Sequence, residues 1–241
     1  MLSDFDGTLA PIVEDPEAAR PLPGVRDTLQ ALARRYQRVA VVSGRPVSYL
    51  TAHLGAPEGV VLVGLYGLEK GAANGVEILP AARRWRPAVD QVAAAAEREA
   101  PPGVYVERKG LSVGLHVRRA PQYAGWVEAW SEQQAAATGL VKHRGKQAVE
   151  LVPPVATDKG RVVAELARGL TAVCYLGDDL GDVPAFVALH RLAASGVSTL
   201  AVAVRSSETP PELLAQADAT VDGPPGALAL LRRLQSDSRP A

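Results

Sequence analysis

Short, uninterrupted apolar runs that each stop at a polar turn are the strongest constraint on this chain. Residues 39–42 are four apolar residues closed by Ser43-Gly44, and 60–65 and 172–176 read the same way. Residues 2–5, which include Ser3 and Asp4, read as a short strand that ends in Asp6-Gly7. Strands that are apolar at every position are buried on both faces, the habit of a parallel sheet covered by helices. Between them lie amphipathic stretches, 23–36 with Val25, Leu29, Leu32 and Ala33 on one face, and 47–54. This β-α-β-α-β order predicts an α/β fold with a doubly wound parallel sheet. The style returns after Asp158 with a helix over 159–168, a strand over 172–176, a helix over 183–189, a strand over 199–204 and a last helix over 226–234. The tail, 236–241, is expected to fray.

The middle of the chain is patterned differently. Residues 81–99 predict one Ala-rich helix, and 122–137 another. Residues 104–106 and 111–117 read as a hairpin across Arg108-Lys109-Gly110, half-exposed because Leu111, Val113, Leu115 and Val117 alternate with Ser112, Gly114 and His116. Two further strands are expected at 140–142 and 147–152. The division that follows is a Rossmann-like core, 1–81 and 156–241, interrupted by an α+β insert, 82–155.

Charge excludes some functions. The 241 residues carry 26 basic and 26 acidic side chains, and the basic ones are scattered. That balance offers neither a nucleic-acid groove nor a membrane-binding surface. No apolar stretch approaches the roughly 18–20 residues needed to span a bilayer. The lone cysteine, Cys174, lies inside an apolar run and rules out a disulfide framework within one chain, which suits the cytoplasm. A monomer is expected.

Chemistry concentrates at strand ends, where open parallel sheets bind ligands. Four polar clusters fall there: Asp4-Phe5-Asp6-Gly7-Thr8, Ser43-Gly44-Arg45, Lys159 at a helix start, and Asp178-Asp179-Leu180-Gly181-Asp182. Any one of them alone is an ordinary turn or helix cap; Asp182 also suits a helix N-terminus. Two acidic strand ends in one core repel each other, so a cation is expected between them. Carboxylate and carbonyl oxygens suit Mg²⁺, which commonly bridges protein to phosphate. A carboxylate can itself attack phosphorus and form an aspartyl-phosphate.

These four strings, in this order, resemble the motifs of the haloacid dehalogenase-like (HAD) phosphatase superfamily across the whole chain. The resemblance implies that Asp4 is the nucleophile and that Asp6 gives a proton to the leaving oxygen and then takes one from water. It implies that Asp4, the backbone carbonyl of Asp6 and Asp178 hold Mg²⁺, and that Ser43 and Lys159 bind phosphoryl oxygens with Gly44 and Arg45 beside them. Asp179 and Asp182 complete the acidic pocket. An insert between the second and third motifs resembles the α/β cap type, which closes over small substrates.

Within that superfamily, Gly64-Leu65-Tyr66-Gly67-Leu68-Glu69, Glu107 to Ser112 leading to His116-Val117-Arg118, and Arg144 to Glu150 resemble the trehalose-6-phosphate phosphatase family. The resemblance implies hydrolysis of trehalose 6-phosphate, with Lys109, Lys146 and Glu150 as sugar contacts and His116, Arg118 and Glu69 behind them. The bland alternatives are that Lys109 is a hairpin-tip lysine and that Glu150 and His116 lie on wet strand faces. Trp126 and Trp130, four residues apart, are expected to pack the insert. The family's Thr-Asp-Glu is replaced here by Gly181-Asp182-Val183, so the last acid is missing. Rival readings are a phosphatase for sucrose phosphate or a glycosyl-phosphoglycerate, a phosphomutase, and a non-catalytic sugar-phosphate binding module.

Overall fold

The computed structural model describes residues 1–13, 15–72, 75–145 and 147–236. The chain runs through β1 (Leu2–Ser3), α1 (Val25–Ala33), β2 (Val39–Val42), α2 (Val47–Leu54), β3 (Val60–Gly64), β4 (Glu69–Ala72) and β5 (Gly75–Ile78). It continues with α3 (Pro80–Arg83), α4 (Arg86–Glu99), β6 (Tyr105–Arg108), β7 (Val113–His116), α5 (Ala124–Thr138), β8 (Val141–Gly145) and β9 (Ala148–Val152). Last come α6 (Lys159–Leu166), β10 (Ala172–Gly177), α7 (Val183–Ala194), β11 (Ser198–Arg205), α8 (Pro211–Leu214), β12 (Ala219–Asp222) and α9 (Gly223–Ser236). Contacts divide it into two units, Met1–Val76 with Thr157–Ala241, and Glu77–Ala156. Among the described residues no helix is long and apolar enough to cross a membrane.

The first unit is built on a sheet of order β12-β11-β10-β1-β2-β3-β4-β5. Every pairing from β12 to β3 is parallel, and β4 adds antiparallel to β3. Two separate apolar cores show why the strands are apolar throughout. Val39 and Val41 of β2 pack with Leu29 and Leu32 of α1 and Leu231 of α9. Their neighbours Ala40 and Val42 pack on the other face with Val163 of α6 and Phe186 and Leu189 of α7. Successive side chains point to opposite faces, so each face needs its own helical cover. Strand order reverses at β1: the chain moves through β2 and β3 on one side, then returns through β10, β11 and β12 on the other. In open α/β sheets, the carboxyl ends beside such a reversal are where ligands bind.

The second unit carries an antiparallel sheet, β6-β7-β9-β8. Val113 and Leu115 of β7 and Val149 and Leu151 of β9 bury against Val89, Val92 and Ala96 of α4 and Val127 and Trp130 of α5. Trp126 and Trp130 stack, with ring centroids 5.7 Å apart, so they pack this unit as expected. The single helix expected over 81–99 is two, α3 and α4. Pro87 is the reason: a proline fits the first turn of α4 but lacks the N–H to continue a helix through it. Of the hairpin expected to be half-exposed, the arm over 111–117 is almost wholly buried, because β7 is central and Ser112 and Gly114 are covered as fully as Val113, while Tyr105 and Arg108 on the edge strand β6 stay exposed.

Candidate active site

The first three residues of interest hang from the reversal point. The Asp4 N–H donates to the Leu176 carbonyl at 2.9 Å, which continues the β1–β10 pairing by one residue and aims Asp4 off the end of β1. Gly7 then turns the chain with φ +77°, and a Cβ there would lie 2.1 Å from Asp178 Oδ2. Glycine is therefore required both by the left-handed backbone and by the nearness of the Asp178 carboxylate. Asp178 follows β10 directly. Carboxylate oxygens of Asp4, Asp178 and Asp182, all buried, lie within 4.8 Å of one another.

Lys159 opens α6 behind the side-chain cap of Asp158 on the Arg161 N–H. Its Nζ lies 2.7 Å from Asp4 Oδ1 and 2.6 Å from Asp182 Oδ1. Asp182 in turn accepts from the Tyr175 hydroxyl at 2.7 Å and from the backbone N–H groups of Asp178 at 2.9 Å and Asp179 at 3.2 Å. Asp179 caps the turn that follows by accepting from the Gly181 N–H at 2.9 Å. The Thr8 hydroxyl approaches Asp178 Oδ1 at 3.5 Å. Sequence reasoning missed Tyr175, because one tyrosine inside an apolar strand looks like packing.

Burial drives the Asp4 carboxyl well above the usual carboxylate range; Lys159 opposes this, and Asp182, Asp178 and Asp179 add to it. Burial alone would lower the Lys159 ammonium, but Asp182 and Asp4 outweigh it and hold the group firmly cationic. Two of the three buried carboxylates share Lys159 and the third, Asp178, lies beside them, so negative charge crowds the pocket. Hard oxygen donors crowded in this way fit Mg²⁺. Asp182 already accepts four hydrogen bonds, about all a carboxylate can take. Asp4 and Asp178 are the carboxylates suited to the ion.

The Ser43-Gly44-Arg45 turn follows β2. Ser43 is buried and its Oγ accepts from the Arg45 N–H at 3.1 Å. Gly44 lies under the Tyr66 ring, whose hydroxyl oxygen would be 2.5 Å from a Cβ. The Arg45 guanidinium grips Asp6 through both carboxylate oxygens, at 2.7 and 2.9 Å. Glu69 is placed by a different contact. Its Oε2 accepts from the Val47 N–H at 2.8 Å, capping the N-terminus of α2.

The second unit holds its own polar cluster. Register places Glu107 of β6 opposite Gly114 of β7, and Gly114 opposite Glu150 of β9. Two carboxylates thus flank a residue with no side chain, on the sheet face away from the apolar core. Lys109 bridges them, with Nζ 3.1 Å from Glu150 and 3.5 Å from Glu107. The Ser112 hydroxyl donates to Glu150 Oε1 at 2.5 Å, and His116 Nε2 lies 2.8 Å from Glu107 Oε2. Lys109 and Glu150 are both buried, so neither is a surface residue. Glu107 and Ser112 were missed as site residues; the period-2 pattern on β6 and β7 was the signal available, once the register is known. Arg118 is half-buried just past β7. Lys146 lies outside the described residues.

The family model for trehalose-phosphatase matches residues 2–219. A trehalose-phosphate phosphatase of Mycobacterium avium is 36% identical over 208 residues, covering 82% of this chain and 53% of that protein. Its counterpart in Mycobacterium leprae is 33% identical over 225 residues, covering 85% of this chain and 50% of its own length. The chain thus spans about half the length of the curated relatives it matches. Among solved structures, the C-terminal domain of Candida albicans trehalose-6-phosphate phosphatase superposes with a TM-score of 0.79 at 24% identity, over 97% of this chain and 91% of that one. That likeness shows the fold, an α/β core of the HAD type.

Proposed function

Since the chain belongs to the trehalose-phosphatase family, we propose that it hydrolyses trehalose 6-phosphate to trehalose and phosphate, with Mg²⁺ as cofactor and Asp4 as nucleophile. The observation that carries this reading is the buried chain Asp182–Lys159–Asp4 beside Asp178, at the carboxyl ends of β1 and β10. In this reading Asp4 is the nucleophile, Lys159 the cation for phosphoryl oxygens, and Asp4 and Asp178 the carboxylates suited to the metal, which supports phosphoryl transfer at one point.

In the first half-reaction an Asp4 carboxylate oxygen attacks phosphorus and the bond to the sugar oxygen breaks. Asp6 gives its proton to that oxygen, and trehalose leaves. In the second, water attacks the phosphorus of the aspartyl-phosphate while Asp6 takes the water's proton. The acyl phosphate bond then breaks, and Asp4 and phosphate are released. Lys159 and the Ser43 hydroxyl bind phosphoryl oxygens through both steps. Asp4, Asp178 and the Asp6 carbonyl would hold Mg²⁺, which would supply charge neutralisation for the transferring group. The Lys109, Glu107 and Glu150 cluster, with Ser112 and His116, binds sugar hydroxyls, for which paired carboxylates and an ammonium are natural partners.

The test is phosphate release from trehalose 6-phosphate, sucrose 6-phosphate, glucose 6-phosphate and glucosyl-3-phosphoglycerate, each with Mg²⁺ and with EDTA. Metal-dependent release, by far the fastest from trehalose 6-phosphate, is expected, and Asp4→Asn abolishes it. Faster release from another member overturns the substrate assignment. Undiminished activity in Asp4→Asn overturns the covalent mechanism.

A further inference from the structure

Tyr175 is fully buried on β10, with its ring edge-on to Phe186 at a centroid distance of 6.2 Å. Its neighbours in that core are apolar: Leu2, Val163, Phe186 and Leu189. A phenylalanine would bury the same ring there without the burden of desolvating a hydroxyl. The hydroxyl therefore needs a reason, and it has one partner of consequence, Asp182 Oδ1 at 2.7 Å.

Asp182 is also fully buried, and it accepts four hydrogen bonds. Two backbone N–H groups hold Oδ2, while Lys159 and Tyr175 share Oδ1. The Lys159 ammonium is then stretched between this fixed carboxylate and Asp4 Oδ1. The glycine before Asp178 confirms how tightly the carboxylate is seated: a Cβ on Gly177 would lie 2.4 Å from Asp182 Cγ. The only side-chain donor to Asp182 apart from Lys159 itself, among the described residues, is Tyr175.

We propose that Tyr175 is a positioning residue for phosphoryl transfer: its hydroxyl orients Asp182, Asp182 holds Lys159, and Lys159 sets Asp4. The proposal rests on the function assigned above for its catalytic consequence, but the hydrogen-bonded chain can be tested without substrate.

Tyr175→Phe removes the hydroxyl and keeps the ring. Steady-state kinetics on trehalose 6-phosphate with Mg²⁺ would compare wild type, Tyr175→Phe, Asp182→Asn and the double variant, with a thermal melt of each. Tyr175→Phe should lower kcat about tenfold, the rate equivalent of one hydrogen bond to a charged group, with KM changed less than twofold. In the double variant, Tyr175→Phe should add nothing to the loss caused by Asp182→Asn. A kcat within twofold of wild type, or two losses that multiply, overturns the proposal. A lower Tm with unchanged kcat assigns the hydroxyl to stability alone and overturns it as well. Independently of turnover, the Lys159 ammonium signal in ¹⁵N-lysine-labelled protein, assigned with Lys159→Arg, should move in Tyr175→Phe. An unmoved signal overturns the proposal whatever the substrate, whereas a moved signal in a protein that releases no phosphate supports the chain and sinks only the functional reading.

Discussion

Arg45 holds Asp6 in a fork, Nε to Oδ2 at 2.7 Å and Nη2 to Oδ1 at 2.9 Å, with the guanidinium 4.5 Å above the Tyr49 ring. The residue expected beside phosphate meets the carboxyl assigned to proton transfer. An arginine stacked on an aromatic ring and engaged through two parallel bonds is rigid, and lysine reproduces neither feature. Arg45→Lys should therefore lower kcat about tenfold while leaving KM for trehalose 6-phosphate within about twofold, since what is lost is the aim of Asp6. Initial rates across substrate concentration check this. A rise in KM at constant kcat would put Arg45 on the phosphate instead.

Gly7 and Gly169 separate backbone strain from damage to the site. Both have left-handed φ, +77° and +76°, so alanine strains either by about 1–2 kcal/mol. Around Gly169 nothing lies within 4 Å of a Cβ, whereas at Gly7 the Cβ would collide with Asp178 Oδ2. Gly169→Ala should cost stability alone, with turnover unchanged. Gly7→Ala should also displace Asp178, so that a Mg²⁺ titration of activity shifts at least tenfold to higher concentration. Equal Mg²⁺ dependence in the two variants would remove Asp178 from the metal site.

Where the sequence was legible, a physical boundary was written into it. The strand over 39–42 and the helix over 47–54 fall at the expected bounds, because an apolar run ends abruptly at Ser43-Gly44 and Pro46 opens the helix. Asp4, Lys159, Asp178 and Asp182 come together because each follows a recognisable strand or begins a helix. β4 and β5 went unseen: Glu69-Lys70-Gly71-Ala72 alternates nothing and sits near the sheet edge, where pairing rather than burial makes the strand. Alternation with Val149 and Leu151 makes Glu150 a wet strand residue, and only the family resemblance makes it a sugar contact. Its burial depends on β7 being central and on Lys109 folding over, which only the strand register reveals.

The Trp130 indole donates to Glu99 Oε2 at 2.8 Å, and Arg98 pairs with the other oxygen at 2.7 Å. Trp130 first and Arg98 second hold the Glu99 carboxyl below its usual range. A carboxyl depressed in the folded state stabilises it above the unfolded value, about 4.3, and loses that contribution as pH falls through the folded value. Thermal melts at pH 6 and pH 3 should show a larger fall in Tm for wild type than for Glu99→Gln, which keeps an acceptor for Trp130 but cannot titrate. Equal falls would mean that the bond does not feel the charge.

The second unit's cluster sets a more demanding test, because Lys109 both binds and balances. Glu107 and Glu150 are buried on one face with Lys109 between them. Removing the lysine leaves two buried like charges, and breaking a buried pair in this way costs about 3–5 kcal/mol. Lys109→Met should therefore lower Tm sharply as well as impair binding. Glu150→Gln leaves the lysine paired with Glu107 and should be milder for stability. If the cluster grips sugar hydroxyls, Glu150→Gln should raise KM for trehalose 6-phosphate tenfold or more while kcat at saturation falls far less. A small non-sugar monoester such as p-nitrophenyl phosphate should be hydrolysed as well by Glu150→Gln as by wild type, because it has no hydroxyls to lose. Equal loss on both substrates would show that Glu150 serves the fold rather than the sugar.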